Sequence, residues 1–308
     1  MAGKIGFVGV GAVGSYYGLM LKKAGEDVHF LLRSNYDAVK KNGFELVHHR
    51  PGKTTERIND LNIYNDAGGI GICDWVVIAS KTSVNHQIAD IVQPMVGDNT
   101  SLLSLQNGMG NVENLADSFG HEREIMGGLC FTCINRTRPS TIESLLPGYV
   151  QFGQLGKKLS DCGLDMVNRF LQAGVQVKQA DSLDEALWRK LCWNIPFNGL
   201  SIVGGGITTD LILQNSKLRN RAGRLMKEIQ SGAKLNNVQI EDAFLQRQFT
   251  LTEPMGAYQP SSLIDFLNGQ VVEVESIWGE PLRRGKVMGI KMPELESLYT
   301  ELKDITGN

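Results

Sequence analysis

Short apolar runs alternate with amphipathic stretches through the first half of the chain, and apolar spacings of three and four take over afterwards. Residues 4–9 form an apolar run of strand length, followed by a helical pattern over 12–24 and a second strand-like run over 27–32. A helix near 37–42 leads to a strand at 44–48, and 61–64 has the length of a further short strand. The run Trp75-Val76-Val77-Ile78-Ala79, opened by Asp74, is continuously apolar, as a strand buried on both faces is. Residues 84–92 read as helix, 101–105 as strand and 111–119 as helix. This alternation predicts a parallel sheet with covering helices.

From 125 to 152 the pattern becomes strand-like with turn signals at Arg138-Pro139-Ser140 and Pro147-Gly148, which predicts antiparallel strands added at the sheet's edge. A helix over 164–173 and a strand over 175–178 follow. Beyond residue 181 the strands give way to five helical stretches, 181–200, 216–236, 241–252, 276–288 and 293–304. A chain of 308 residues exceeds one typical core of about 100–200 residues. The expectation is therefore an α/β domain over 1–180 and a helical domain over 181–308. Pro196, inside the first of those helical stretches, is expected to kink it, because it removes a backbone donor.

Composition narrows the class. Apolar residues make up 42% and charged residues 21%, ordinary values for a globular protein. With 31 basic and 33 acidic residues the net charge is -2, which supplies no sequence-wide attraction to nucleic acid or to an anionic membrane. No apolar run approaches the ~20 residues of a membrane span, and the N-terminal apolar stretch is shorter than a secretion signal. A cytoplasmic protein with a small-molecule partner is expected. Cys130 and Cys133 form a C-x-x-C, but positions three apart on a strand face opposite sides, so no metal is expected there.

The candidate chemistry begins at Gly9-Val10-Gly11-Ala12-Val13-Gly14. A glycine turn between a first strand and a helix N-terminus suits a pyrophosphate, because unpaired backbone N–H groups and the helix dipole favour negative charge. Gly9 permits the tight turn, Gly11 the approach of the diphosphate, and Gly14 the packing of helix on strand. A tight β–α turn with no ligand is the plain alternative. A carboxylate for a ribose hydroxyl would stand at the end of the second strand, where the sequence has Arg33-Ser34 instead. Arg33 can pair with a 2′-phosphate and Ser34 can hydrogen-bond it, which favours NADP(H) over NAD(H). Lys81, just past a later strand, is either a phosphate contact or a solvated lysine.

In the second half, Lys190, Asn194 and Asn198 are spaced by four and share one helix face. That face is either a pocket wall or a wetted surface. Reducing a carbonyl requires a proton for the nascent alkoxide, and a lysine can act as that acid, so Lys190 is the candidate. Asn107, in Gln106-Asn107-Gly108-Met109-Gly110 after a strand, either orients Lys190 or the substrate or simply forms a turn. Ser262 and Glu273 can bind a hydroxyl or carboxylate; taken alone, the serine reads as a helix cap and the glutamate as a solvated acid.

Taken together these residues resemble the ketopantoate reductase (2-dehydropantoate 2-reductase) family. The likeness spans nearly the whole chain: the glycine turn with Arg33, Asn107 to Gly110, Leu187-Trp188-Arg189-Lys190-Leu191 with Asn194 and Asn198, and Ser262 through Glu273. It implies a Rossmann-type dinucleotide-binding domain followed by an all-helical domain of the 6-phosphogluconate dehydrogenase C-terminal type. It also implies NADPH-dependent reduction of 2-dehydropantoate to pantoate. In that scheme Lys190 is the general acid, Asn107 its partner and a nicotinamide neighbour, and Glu273 a bond to the substrate hydroxyl. Asn194, Asn198 and Ser262 are further substrate contacts, and a homodimer is the assembly considered. The sequence departs from the family pattern at Gln259, at Val272-Glu273-Val274-Glu275, at Trp278 and at Pro281, all in the substrate half. Alternatives left open are a reductase of another 2-oxo acid, a β-hydroxy acid dehydrogenase and a nonenzymatic NADPH-binding regulator.

Overall fold

The computed structural model describes residues 3–307. The chain divides into two compact units, one comprising Met1–Gln106 and Asn111–Leu183, the other Asn107–Gly110 and Asp184–Asn308.

The first unit is α/β. In chain order it contains β1 (Ile5–Val8), α1 (Ala12–Lys23), β2 (Val28–Leu31), α2 (Tyr36–Asn42), β3 (Phe44–His48), β4 (Thr54–Ile58), β5 (Asn62–Tyr64), α3 (Ala67–Ile70) and β6 (Trp75–Ile78). There follow α4 (Asn85–Val92), β7 (Ser101–Ser104), α5 (Asn111–Phe119), β8 (Ile125–Arg138), β9 (Thr141–Gln154), α6 (Asp161–Gln172) and β10 (Gln176–Gln179). Among the described residues these strands form one sheet in the order β4-β3-β9-β8-β7-β6-β1-β2-β5, with β10 also paired to β9. Every residue of β1, β2, β6 and β7 is buried, the outcome expected for the continuous apolar run that forms β6. Gly18 lets α1 lie directly on β2, since a Cβ there would meet Phe30 at 2.3 Å.

The strands β8 and β9 correct the expected topology. They pair antiparallel, but β8 also joins β7 in parallel and β9 joins β3, so both lie inside the sheet. One edge belongs to β4, whose sequence Thr-Thr-Glu-Arg-Ile carries no apolar run because most of it is exposed. Pro147-Gly148 does not end a strand either. It lies within β9, beside register shifts on either side of Cys133 in β8.

Within the second unit every element among the described residues is helical: α7 (Leu183–Val203), α8 (Thr209–Gln214), α9 (Ser216–Leu235), α10 (Asp242–Thr252), α11 (Ser261–Leu267), a π-helical turn (Glu275–Gly279), α12 (Glu280–Val287) and α13 (Pro293–Thr306). Trp188, Ile195, Phe197, Leu225, Ile229, Trp278 and Leu298 belong to its core. The Glu228 carboxylate on α9 caps α13, accepting from the backbone N–H groups of Glu294 at 2.9 Å and Leu295 at 2.8 Å. The short helices α8 and α11 give too few turns for a periodic signal and escape a reading by pattern. No helix among the described residues is long and apolar enough to cross a membrane.

Candidate active site

Three loops meet the carboxyl ends of neighbouring strands in the first unit. β1 lies between β2 and β6, with Val8 level with Leu31 on one side and Ile78 on the other. The glycine turn therefore has Arg33 and Ser34 past the end of β2 and Lys81 past the end of β6, and all three side chains are exposed. No ion pair or hydrogen bond engages the Arg33 guanidinium among the described residues. Helix α1 begins at Ala12 after Gly11, with no side-chain cap and no acidic residue in its first turn, so no side chain of the helix's own start competes for its first donors.

The three glycines of the turn differ in what they are needed for. Gly9 has φ +83°, and a Cβ there would sit 2.0 Å from the Ser80 nitrogen. A Cβ on Gly14 would lie 2.5 Å from the Gly9 carbonyl oxygen. Both are demanded by the protein's own packing. Gly11 is not: the nearest protein atom to its Cβ would be the Gly9 oxygen at 4.0 Å. Open space over a helix N-terminus, at a glycine the fold does not require, fits a phosphate-bearing group.

In the second unit, the Lys190 ammonium on α7 donates to the Asn107 side-chain oxygen at 2.9 Å, and both residues are half-buried. Asn107 is held by its own loop. Gly108, at φ +82°, sits so close to the π-helical turn that a Cβ would meet the Ser276 oxygen at 2.3 Å, and the Met109 N–H donates to that same oxygen at 2.9 Å. π turns often mark functional sites. Glu273, 8% exposed, stands just before this one, and its carbonyl accepts from the Ile277 N–H. The sequence-predicted Lys190 and Asn107 are thus in contact, with Glu273 near in sequence to the turn that anchors the asparagine.

The other amides on α7 have separate surroundings. Asn198 is 1% exposed, and its oxygen accepts from the Ser262 N–H at 2.9 Å, supplying α11 with a cap from another helix. Neither serine occupies the cap position, which falls on Pro260; Ser261 and Ser262 are the first helical residues. Asn194 is 7% exposed, and no hydrogen bond to its side-chain amide is found among the described residues. Buried amides normally find partners, so the Asn194 side chain has capacity left for a ligand. Cys192 lies between Lys190 and Asn194 in sequence, and burial pushes its thiol up to about 12, so it stays protonated and inert near neutral pH. These contrasts give a prediction. Asn198→Ala should lower stability by about 1–2 kcal/mol, whereas Asn194→Ala should be neutral or stabilising. Thermal unfolding of the two variants checks it; a larger loss at Asn194 would contradict the assignment.

Helix α7 runs through Pro196 without interruption in its span. The Trp278 indole donates to the Ile195 carbonyl at 3.0 Å, and Gly199 leaves room for it, since a Cβ there would lie 2.9 Å from the indole nitrogen. Trp278, a departure from the family pattern, is fully buried and shores up this proline-containing helix. Pro281 is buried at the start of α12, and Gln259 is exposed. Burial raises the Glu275 carboxyl, but the Tyr299 hydroxyl and the Arg283 guanidinium outweigh it and hold the group below its usual range.

One polar cluster escaped the sequence reading. The Gln106 amide donates to the Ser80 carbonyl at 3.1 Å and to the Asn85 side chain at 2.7 Å, and Asn85 donates to Asn111 at 2.8 Å. Its only sequence signal is that polar residues follow the apolar runs of β6 and β7 directly.

Comparison with known proteins is consistent along the whole chain. Residues 5–157 match the model of the family described as ketopantoate reductase PanE/ApbA, and residues 182–306 match its C-terminal counterpart. A 2-dehydropantoate 2-reductase from Nostoc sp. is 36% identical, the match covering 99% of this chain and 95% of the relative. A crystal structure of 2-dehydropantoate 2-reductase from Geobacter metallireducens GS-15 superposes with a TM-score of 0.93 at 37% identity, covering 98% of this chain and 99% of the other. A D-mandelate dehydrogenase, solved with NADH and anilino(oxo)acetate, shares the fold at a TM-score of 0.89 and 20% identity, covering 99% and 98% of the two chains.

Proposed function

The chain belongs to the ketopantoate reductase family of oxidoreductases, and on that premise we propose that it catalyses NADPH-dependent reduction of 2-dehydropantoate to pantoate, a step of pantothenate synthesis. The observation that carries the reading is the Lys190 ammonium on the Asn107 oxygen at 2.9 Å. It is an acid held in one orientation, which carbonyl reduction needs and a binding-only protein does not.

The residues present fit the cofactor. The open space at Gly11 and the uncapped start of α1 would hold the diphosphate through the backbone of Gly9, Gly11, Ala12, Val13 and Gly14. Lys81 would add a cation on one side of the turn. On the other, Arg33 and Ser34 would take the 2′-phosphate, because a guanidinium forms paired bonds to phosphate and no carboxylate stands there to accept a ribose hydroxyl. When bound, NADPH supplies the hydride.

The remaining work falls to side chains. Asn107 holds the Lys190 ammonium, and Lys190 delivers a proton to the substrate's carbonyl oxygen as that oxygen gains negative charge. Asn194 offers its unmet amide to the substrate, with Asn198 and Ser262 beside it in the α7–α11 contact, and Glu273 accepts from the substrate hydroxyl. Buried polar groups of this kind reject analogues that lack the matching hydroxyl.

Two measurements test the reading. Initial rates of NADPH oxidation across a panel of 2-oxo acids should be highest in kcat/KM for 2-dehydropantoate; clear turnover of another 2-oxo acid with none of this one would remove the substrate assignment. Arg33→Ala should weaken NADPH by roughly tenfold, the scale of one exposed charge-assisted contact, and leave NADH unchanged. Equal losses for the two cofactors would remove Arg33 from the 2′-phosphate.

A further inference from the structure

We propose that Gln106 is a positioning residue that fixes the shape of the diphosphate cradle without touching the cofactor, an inference that rests on the cofactor reading above. Its amide nitrogen is within hydrogen-bond distance of the Ser80 carbonyl at 3.1 Å, the Ser80 hydroxyl at 3.3 Å and the Asn85 oxygen at 2.7 Å, and its oxygen accepts from the Ser104 hydroxyl at 3.2 Å. With both ends of the amide engaged, the side chain is committed to protein partners.

Those partners are the loops that matter. Ser80 is the residue against whose backbone the Gly9 turn lies, close enough that any side chain on Gly9 would collide with it. It also precedes Lys81 directly. Asn85 opens α4 and donates in turn to Asn111 at the start of α5. A single half-buried amide therefore ties the carboxyl end of β7 to that of β6, and through Ser80 to the glycine turn of β1. Strand pairing ends just before these loops, with the Ala79 N–H on the Val8 oxygen and the Leu105 N–H on the Ile78 oxygen, both at 2.8 Å. Beyond those bonds the Gln106 amide ties the loop after β6 to the end of β7. A cradle that is already shaped spares the ordering cost otherwise met on binding.

The test compares wild type, Gln106→Met, which keeps the length and loses the hydrogen bonds, and Gln106→Glu, which keeps the acceptor for Ser104 and loses the donors. Titration with NADPH and with 2′-phospho-ADP-ribose, which lacks the nicotinamide, separates cradle from ring. Gln106→Met should weaken both ligands in parallel, by about tenfold, with Gln106→Glu also weakened. It should raise KM for NADPH by the same factor, with kcat at saturation within about twofold of wild type. Unchanged binding of the fragment, or loss of kcat without change in KM, would overturn the proposal. Wild-type protein that binds neither ligand would instead overturn the cofactor reading, so the two failures are distinct. Should Gln106→Met fail to fold, Ser80→Ala, which removes one acceptor of the same amide, must show the parallel loss, or the proposal falls.

Discussion

Replacing Lys190 with alanine is expected to lower kcat for 2-oxo acid reduction by roughly 10²–10⁴, the range for loss of a positioned general acid, while NADPH binding is retained. Hydride addition leaves negative charge on the former carbonyl oxygen, and a nearby proton donor lowers the barrier as that charge develops. Lys190 projects from α7 and is fixed by Asn107, which is fixed by the contact of Gly108 and Met109 with Ser276. Cys192, on the same helix, cannot substitute, because it is fully buried in the core of the helical unit. Lys190→Arg should fare little better: it keeps the positive charge, but a guanidinium does not release a proton in a protein. Steady-state rates at saturating NADPH check both variants. Near-normal kcat in Lys190→Ala would remove the lysine from this role.

The second large effect is expected at Gly11. Adding one methyl group there should weaken NADPH by roughly 5–150-fold, the equivalent of about 1–3 kcal/mol of overpacking against the ligand, and leave thermal stability unchanged. The neighbouring glycines should behave differently. Gly9→Ala forces a side chain onto Ser80 at a positive φ, and Gly14→Ala forces one onto the Gly9 oxygen, so both should lose stability as well as affinity. Calorimetric binding alongside thermal unfolding distinguishes the cases. A Gly11→Ala protein that binds NADPH as wild type does would show that the open space above this turn is not where the cofactor lies.

Much of the fold was legible because apolar runs report burial. β6 reads as a continuous apolar run and β1, β2 and β7 as short strand-length runs, and all four are fully buried, while β4, mostly exposed, carried no such signal. The place of β8 and β9 inside the sheet was not legible, since strand order is set by long-range pairing that no local pattern encodes. The i, i+4 spacing of Lys190, Asn194 and Asn198 revealed a shared helix face. It did not reveal that Asn198 caps α11 while Asn194 keeps its amide unmet, because that depends on which helix end arrives beside each residue. Gln106 and Asn85 were invisible as a pair for the same reason: 21 positions separate them, and only the parallel packing of β6 and β7 joins their loops.

The most direct test of the account is transfer of label to 2-dehydropantoate from NADPH carrying deuterium at both nicotinamide C4 positions. The account predicts pantoate carrying deuterium at the former carbonyl carbon, formed by wild-type protein and formed far more slowly by Lys190→Ala. Pantoate without label, or no pantoate from wild-type protein that binds NADPH, would contradict it.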